Sequence, residues 1–215
     1  MRNSMLCNAM LALAVALPAA GCLVGDRSHT LYLDPDGAFT WEALERHIRS
    51  DAAAAADRDR EEADFLAQSL ASEQPIARGL RKLDPVSFRS EVVRDRRPFA
   101  VVSEARYDSI QNAFQRLLDG LGLPGRAEIT REGGLVQLTV TIEPPQLDSE
   151  GAETDDDLVA LIGDLENMRI VLTRGKFVEA VGFKLTEDGA VATPLDQDVQ
   201  EKVPAPLVYR LAWTE

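Results

Sequence analysis

From Val136 to Ile142 the chain alternates without a break. Val136, Leu138, Val140 and Ile142 are apolar, and Gln137, Thr139 and Thr141 between them are polar. A period of two sends successive side chains to opposite faces, so this stretch is read as a strand with one face buried and one face wet. Such a strand needs a sheet covered on one side. Pro144-Pro145 ends it, because proline cannot donate to a strand ladder.

Similar short stretches recur between turn residues. Asp34-Pro35-Asp36-Gly37 reads as a tight turn, since proline presets one φ and glycine accepts a positive one. With residues 29–33 before it, and Phe39 and Trp41 alternating with Thr40 and Glu42 after it, it predicts a hairpin. Trp41, Leu44 and Ile48 also fit a helical spacing, which is the competing reading there. Further strands are expected at 88–94 and 99–107, at 126–131 before Gly133-Gly134, at 168–173 and 177–185 around Arg174-Gly175, and at 190–195 and 207–213.

Helices are expected between these strands. Residues 50–72 carry a thin apolar stripe of Phe65, Leu66 and Leu70, with the alanine run 52–56 prone to fraying. Pro75 can open a short helix with Ile76, Leu80 and Leu83. Asp108-Ser109-Ile110-Gln111 resembles a capping box, in which the glutamine reaches back to the cap. Ile110, Phe114, Leu117, Leu118 and Leu121 then share one face, and Gly120 or Gly122 can end the helix. Thr154 can cap a last helix whose first turn holds Asp155, Asp156 and Asp157, where negative charge suits the dipole. No internal repeat is present. The expected class is α+β: a mainly antiparallel sheet with helices packed on one face, as a single globular domain over residues 29–215.

The start of the chain has a different character. Arg2 precedes an apolar run from Met5 to Pro18, and Ala19, Ala20 and Gly21 precede Cys22. One positive charge, a short apolar run and small residues are the layout of a secretory signal. The run falls short of the roughly 20 apolar residues that cross a bilayer. Ala19-Ala20-Gly21-Cys22 resembles the lipobox of bacterial lipoproteins, with alanine where leucine is commonest. That resemblance implies a signal peptide over 1–21, cleavage before Cys22, lipid on its sulfur, and a tether over 22–28. A plain signal cut after an Ala-x-Ala-like site, or a buried N-terminal helix, is the alternative. Leu23 stands where lipoproteins retained in the inner membrane often carry aspartate, so the same resemblance implies the outer membrane in a cell that has one.

Composition narrows the function classes. Cys7 would leave with the signal and Cys22 would be capped by lipid, so the mature domain would be held by its packing, with no disulfide. The net charge is −13, and removal of residues 1–21, which carry only Arg2, leaves −14. Such a chain repels phosphates, so no nucleic-acid partner is expected. The expected partners are the membrane, through the N-terminal lipid, and a lipid, envelope component or envelope protein.

Candidate chemistry is sparse. His29 and His47, with Asp34, would be needed together for zinc, and their spacing matches no metal motif, so surface or hairpin roles are expected for both histidines. No G-x-S-x-G elbow occurs. Asp34 and Asp36 before Gly37 lack the other ligands of a calcium loop and read as turn residues. No catalytic set, metal or cofactor is expected. Arg94, Arg96 and Arg97 form the basic patch that could grip a phosphate or carboxylate, against the alternative of a solvated turn paired with Asp95 and Glu91. Two readings follow. One is a binding or structural module of the envelope, including a subunit of a larger complex. The other is an envelope hydrolase working with two carboxylates about 5–10 Å apart in a cleft.

The order of elements in 94–121 and 168–213 is similar to that of the LppM-type bacterial lipoproteins. A strand leads into a helix over 99–121, a late hairpin turns at Arg174-Gly175-Lys176, and a strand ends at Leu211-Ala212-Trp213. LppM-type chains usually carry a further C-terminal membrane helix, and none is read here. The resemblance implies an envelope domain with lipid or glycolipid as candidate ligand, and it transfers no functional residue.

Overall fold

The computed structural model describes residues 22–143, 154–163, 167–195 and 206–214. The signal reading over 1–21 and the acidic stretch 146–153 lie outside the described residues. In chain order the elements are β1 (Leu23–Leu33), β2 (Phe39–Ser50), α1 (Ala55–Leu70), α2 (Pro75–Lys82), β3 (Ser87–Arg94), β4 (Phe99–Tyr107) and α3 (Ile110–Gly120). They continue with β5 (Gly125–Glu132), β6 (Leu135–Ile142), α4 (Asp156–Ile162), β7 (Met168–Leu172), β8 (Lys176–Val181), β9 (Phe183–Leu185), β10 (Val191–Pro194) and β11 (Leu207–Thr214).

Two sheets result. Seven strands run in the order β3-β4-β2-β1-β7-β10-β9, and four in the order β5-β6-β11-β8. Pairing is antiparallel except between β1 and β7. The α+β class and the antiparallel bias are as the sequence led us to expect. The buried face of the larger sheet presents Leu31, Leu33, Phe39, Trp41, Ala105, Tyr107 and Ile170. These share one apolar cluster with α2, α3, α4 and the inner residues of the smaller sheet. Farther along that face, Phe65 of α1 packs beside Phe99, Ile48 and Val101.

The first hairpin wins over the helical alternative for a local reason. Phe39, Trp41 and Ala43 are buried at a period of two, while Leu44 is half exposed. The register slips between Arg46 and Ile48, where His47 takes φ +57°. That bulge brings Ile48 back to the buried face and produces the false helical spacing. His47 is exposed there, with Nδ1 2.7 Å from Asp26 Oδ2. His29, by contrast, is fully buried, and its Nδ1 accepts from Trp41 Nε1 at 3.1 Å. His29 has the expected hairpin role, paired in register with Ala43, but its inward-facing strand position puts it in the core and not on the surface.

Four more expectations are corrected. The expected tether 22–28 is strand, because Leu23 and Val24 already pair with Ser50 and Arg49. The single strand expected over 177–185 is two, β8 and β9, in different sheets, with Gly182 at φ +80° between them. The cap of α4 is Asp155, which accepts from Asp157 N–H at 3.0 Å, where Thr154 was expected. In α3 the cap is Ser109, accepting from Asn112 N–H at 3.3 Å, and Gln111 does not reach back.

Gln111 instead serves the smaller sheet. Its Oε1 accepts from Ile129 N–H at 3.2 Å, and Gln115 Oε1 accepts from Ala127 N–H at 3.0 Å. The two glutamines lie one helical turn apart, and the two amides alternate along β5, which ends its sheet. An uncovered strand edge offers free donors to other chains, and here two side chains occupy them. The double variant Gln111→Ala, Gln115→Ala should lose about 1 kcal/mol per hydrogen bond. Amide exchange at Ala127 and Ile129, measured by NMR, should accelerate well beyond that of the β6 amides.

Candidate binding site

Between the two sheets lies a cavity of about 230 Å³. Four stretches supply most of its walls. α3 and its C-cap contribute Phe114, Leu117, Leu118 and Leu121; β6 contributes Leu138, Val140 and Ile142; β7 contributes Met168 and Ile170; β11 contributes Tyr209 and Leu211. Ile162 of α4 and Phe183 of β9 close further sides. Among the described residues Arg210 is the single charged one of this lining, and its Nη1 donates to Glu179 Oε1 at 3.2 Å. No carboxylate lines the cavity among the described residues. An apolar cavity of about 150 Å³ is enough to bind benzene, so this one has room for a short apolar segment. It falls below the roughly 300–1,000 Å³ typical of sites that enclose a whole drug-sized molecule.

The walls are set by local chain chemistry. The C-terminus of α3 is a Schellman turn: Leu123 N–H donates to Leu118 O at 3.0 Å, and Gly122 N–H donates to Asp119 O at 3.1 Å. Gly122, at φ +64°, makes the reversal that returns Leu123 to the cavity wall. At Gly182 the chain leaves the smaller sheet for the larger one. A Cβ there would stand 2.6 Å from the Tyr209 ring, so glycine is needed for space as well as for φ. Phe183 then meets Tyr209 edge to face, with centroids 5.9 Å apart.

α4 has only seven residues and is held by charge. Arg78 Nη2 and Lys82 Nζ of α2 each lie 2.7 Å from a different oxygen of Asp157, and Lys82 also reaches Asp155 at 2.7 Å. The helices touch because Gly79 has no side chain; a Cβ there would sit 2.6 Å from Asp157 O. The Arg78 hydrogen bond foremost, then Lys82, holds the Asp157 carboxyl below its ordinary range, and Lys82 does the same for Asp155.

The residues singled out from sequence lie elsewhere. Cys22 is exposed; its N–H donates to Asp51 Oδ1 at 2.6 Å, and Asp51 N–H donates to Cys22 O at 3.1 Å. Arg94, Arg96 and Arg97 sit at the β3–β4 turn, all exposed. Arg97 is committed within the protein, with Nε 3.2 Å from Glu62 Oε1 and Nη2 3.4 Å from Ser50 O. Arg96 lies 4.0 Å from Asp95. Asp34 and Asp36 serve the turn: Asp36 Oδ1 accepts from Ala38 N–H at 3.1 Å and Asp34 Oδ1 from Thr173 Oγ1 at 2.7 Å. Among the described residues no group of three or more histidine, cysteine or acidic side chains could hold a metal. No described helix is long and apolar enough to cross a membrane. The cavity residues were read from sequence only as core positions. Apolar spacing tells which face is covered, and it does not tell whether the covering side chains meet.

No protein-family model matches the chain, and no curated protein sequence matches it. Among solved structures, the NMR structure of the folded domain of Mycobacterium tuberculosis LppM aligns over 88% of this chain and 89% of that one. The alignment has 9% identity and a TM-score of 0.36.

Because Asp155 and Asp157 have lowered folded-state values, their contribution is present above the unfolded carboxylate range and is lost as pH falls through the folded values. Stability should therefore decline on acidification below about pH 4, near the unfolded aspartate value. Asp157→Asn should cost about 1 kcal/mol at pH 7, discounted because Arg78 is 38% exposed. The variant should also flatten the acid limb of the urea-midpoint profile.

Proposed function

We propose that this chain is an envelope lipoprotein, anchored by lipid on Cys22, whose domain takes an apolar chain of a lipid into the cavity between its sheets. The cavity is the observation that carries the binding reading. It is a concave pocket, partly open to solvent, walled almost entirely by leucine, isoleucine, methionine and aromatic side chains, and apolar concavities of this kind are where small apolar ligands bind. The anchor rests on the signal-like run 5–18 and on Ala19-Ala20-Gly21-Cys22. In a cell with two membranes, Leu23 after the cysteine favours the outer one.

The cavity accounts for a ligand's chain. Arg210, the single charged lining residue among the described ones, is already paired with Glu179, so selection is expected to rest on chain length and shape.

The test is displacement of a fluorescent long-chain fatty acid from delipidated protein. Leu138→Trp, which fills the cavity, should weaken probe binding at least tenfold. Leu70→Trp, on an exposed site of α1, should leave it unchanged. Equal binding by both, with native circular dichroism, would remove the cavity reading. Intact mass of the native protein beside Cys22→Ser tests the anchor separately: lipid mass should be present in the first and absent in the second.

A further inference from the structure

We infer that the end of the larger sheet that carries Cys22 is the membrane-facing surface of the domain, and that Arg49, Arg94 and Arg96 meet anionic lipid headgroups there. The inference rests on the lipid-anchor reading of Cys22 and adds an orientation and a partner surface to it.

The first observation is the missing tether. Strand pairing runs to Leu23, which faces Ser50, and one residue further Cys22 and Asp51 exchange two hydrogen bonds. Whichever group the mature amine becomes, an ammonium or an amide, it retains an N–H for Asp51. In a chain beginning at Cys22 no flexible residue would separate the acyl groups from the sheet. A lipoprotein on a long linker can turn freely above its membrane. Here the anchor would hold one end of a strand ladder against the headgroups.

The second observation is what shares that end. Ile48 pairs with Phe99 and Ala100 with Arg94, so the β3–β4 turn lies beside Ser50. Arg97 fixes it there through Glu62 and the Ser50 carbonyl. Arg49, exposed, pairs in register with Val24, two residues from Cys22. The exposed turn adds Arg94 and Arg96. Acidic groups are present too, and most are held. Asp51 accepts from Cys22, Glu61 from Ser50 Oγ, Glu62 binds Arg97, and Asp95 lies beside Arg96. Asp64, on α1 near Leu23, and exposed Glu91, three residues before Arg94, are acidic neighbours to set against the arginines.

The third observation is the charge of the remainder. Residues 22–215 carry −14, so an anionic bilayer repels the molecule as a whole. The arginine cluster at the anchor end would offset that repulsion where contact is forced. Guanidinium groups suit phosphate oxygens, and each basic residue near an anionic surface is worth roughly a fivefold change in association.

The experiment uses the lipidated full-length protein in vesicles. The mature chain has no cysteine besides Cys22, so a single added cysteine can be labelled cleanly. A fluorophore is placed at Val93→Cys, on the proposed surface, or at Glu132→Cys, at the opposite end of the molecule. Vesicles of phosphatidylcholine, with or without phosphatidylglycerol, carry a nitroxide quencher at headgroup depth. We expect quenching at position 93 to exceed that at 132 severalfold, and to fall severalfold in Arg94→Gln, Arg96→Gln or in vesicles without phosphatidylglycerol. Protein that floats with the vesicles while both labels are quenched alike would overturn the orientation and leave the anchor standing. Strong quenching at 93 that ignores the acidic lipid and the arginine variant would overturn the headgroup contact. Protein that carries no lipid and does not float would overturn the anchor reading and this inference together.

Discussion

Three consecutive backbone carbonyls hold the two sheets in one molecule. In the β1–β2 turn, Pro35 O accepts from Trp213 Nε1 at 3.0 Å, Asp36 O accepts from Arg131 Nη2, and Gly37 O accepts from Ile110 N–H at 2.8 Å. The donors belong to β11, β5 and the first turn of α3. One four-residue turn of the larger sheet thereby fixes the smaller sheet and the helix between them. Trp213 is fully buried, so its indole donor needs that acceptor. Nearby, Phe39 stacks on Tyr107 at 4.7 Å, and Tyr107 donates to Leu80 O at 2.7 Å, which ties α2 to the same end. Burial raises the Tyr107 phenol far above its ordinary range, so it stays a donor at all working pH values.

The cavity is a consequence of that arrangement. Two sheets joined at one end, with a helix between them, leave space farther along, where α3 ends and the chain changes sheets. Gly182 makes the change possible, and Tyr209 and Phe183 meet across it. α4 closes another side although it is too short to be stable alone, because helices of that length need tertiary contacts. The Arg78, Lys82, Asp155 and Asp157 cluster supplies them, and Gly79 permits the approach. A charged clip on the outside thus supports an apolar wall on the inside.

Anchor and cavity occupy different parts of the same sheet. Cys22 and Met168 lie along one direction, since β7 pairs with β1 in parallel from His29 onward. The seven residues from Cys22 to His29 span about 23 Å at the usual strand rise. Under the anchored reading the cavity stands above the headgroups at roughly that height.

Much of the fold was legible because it follows from local rules. Alternation over 136–142, the turns at 34–37 and 133–134, and the apolar face of α3 each express a backbone period or a φ preference that neighbouring residues set. The departures arose where distant groups compete for the same atoms. Gln111 follows a capping pattern, yet its carbonyl goes to Ile129 because β5 offers an unpaired amide and the cap is already satisfied by Ser109. Residues 177–185 are continuous in pattern, yet two sheets divide them, since hydrogen-bond partners far along the chain decide which sheet a strand joins. Arg94, Arg96 and Arg97 could be named from the sequence, but their place beside Cys22 depends on the pairing of Ile48 with Phe99. By itself the sequence determined the α+β class, most elements, the acidic surface and the signal-like start. Only the tertiary structure decided that His29 is core, that no tether follows Cys22, and that apolar side chains from α3 and both sheets line one pocket. The physical reason is that burial is encoded residue by residue, whereas a cavity and a register are relations between surfaces that meet only after the chain has folded.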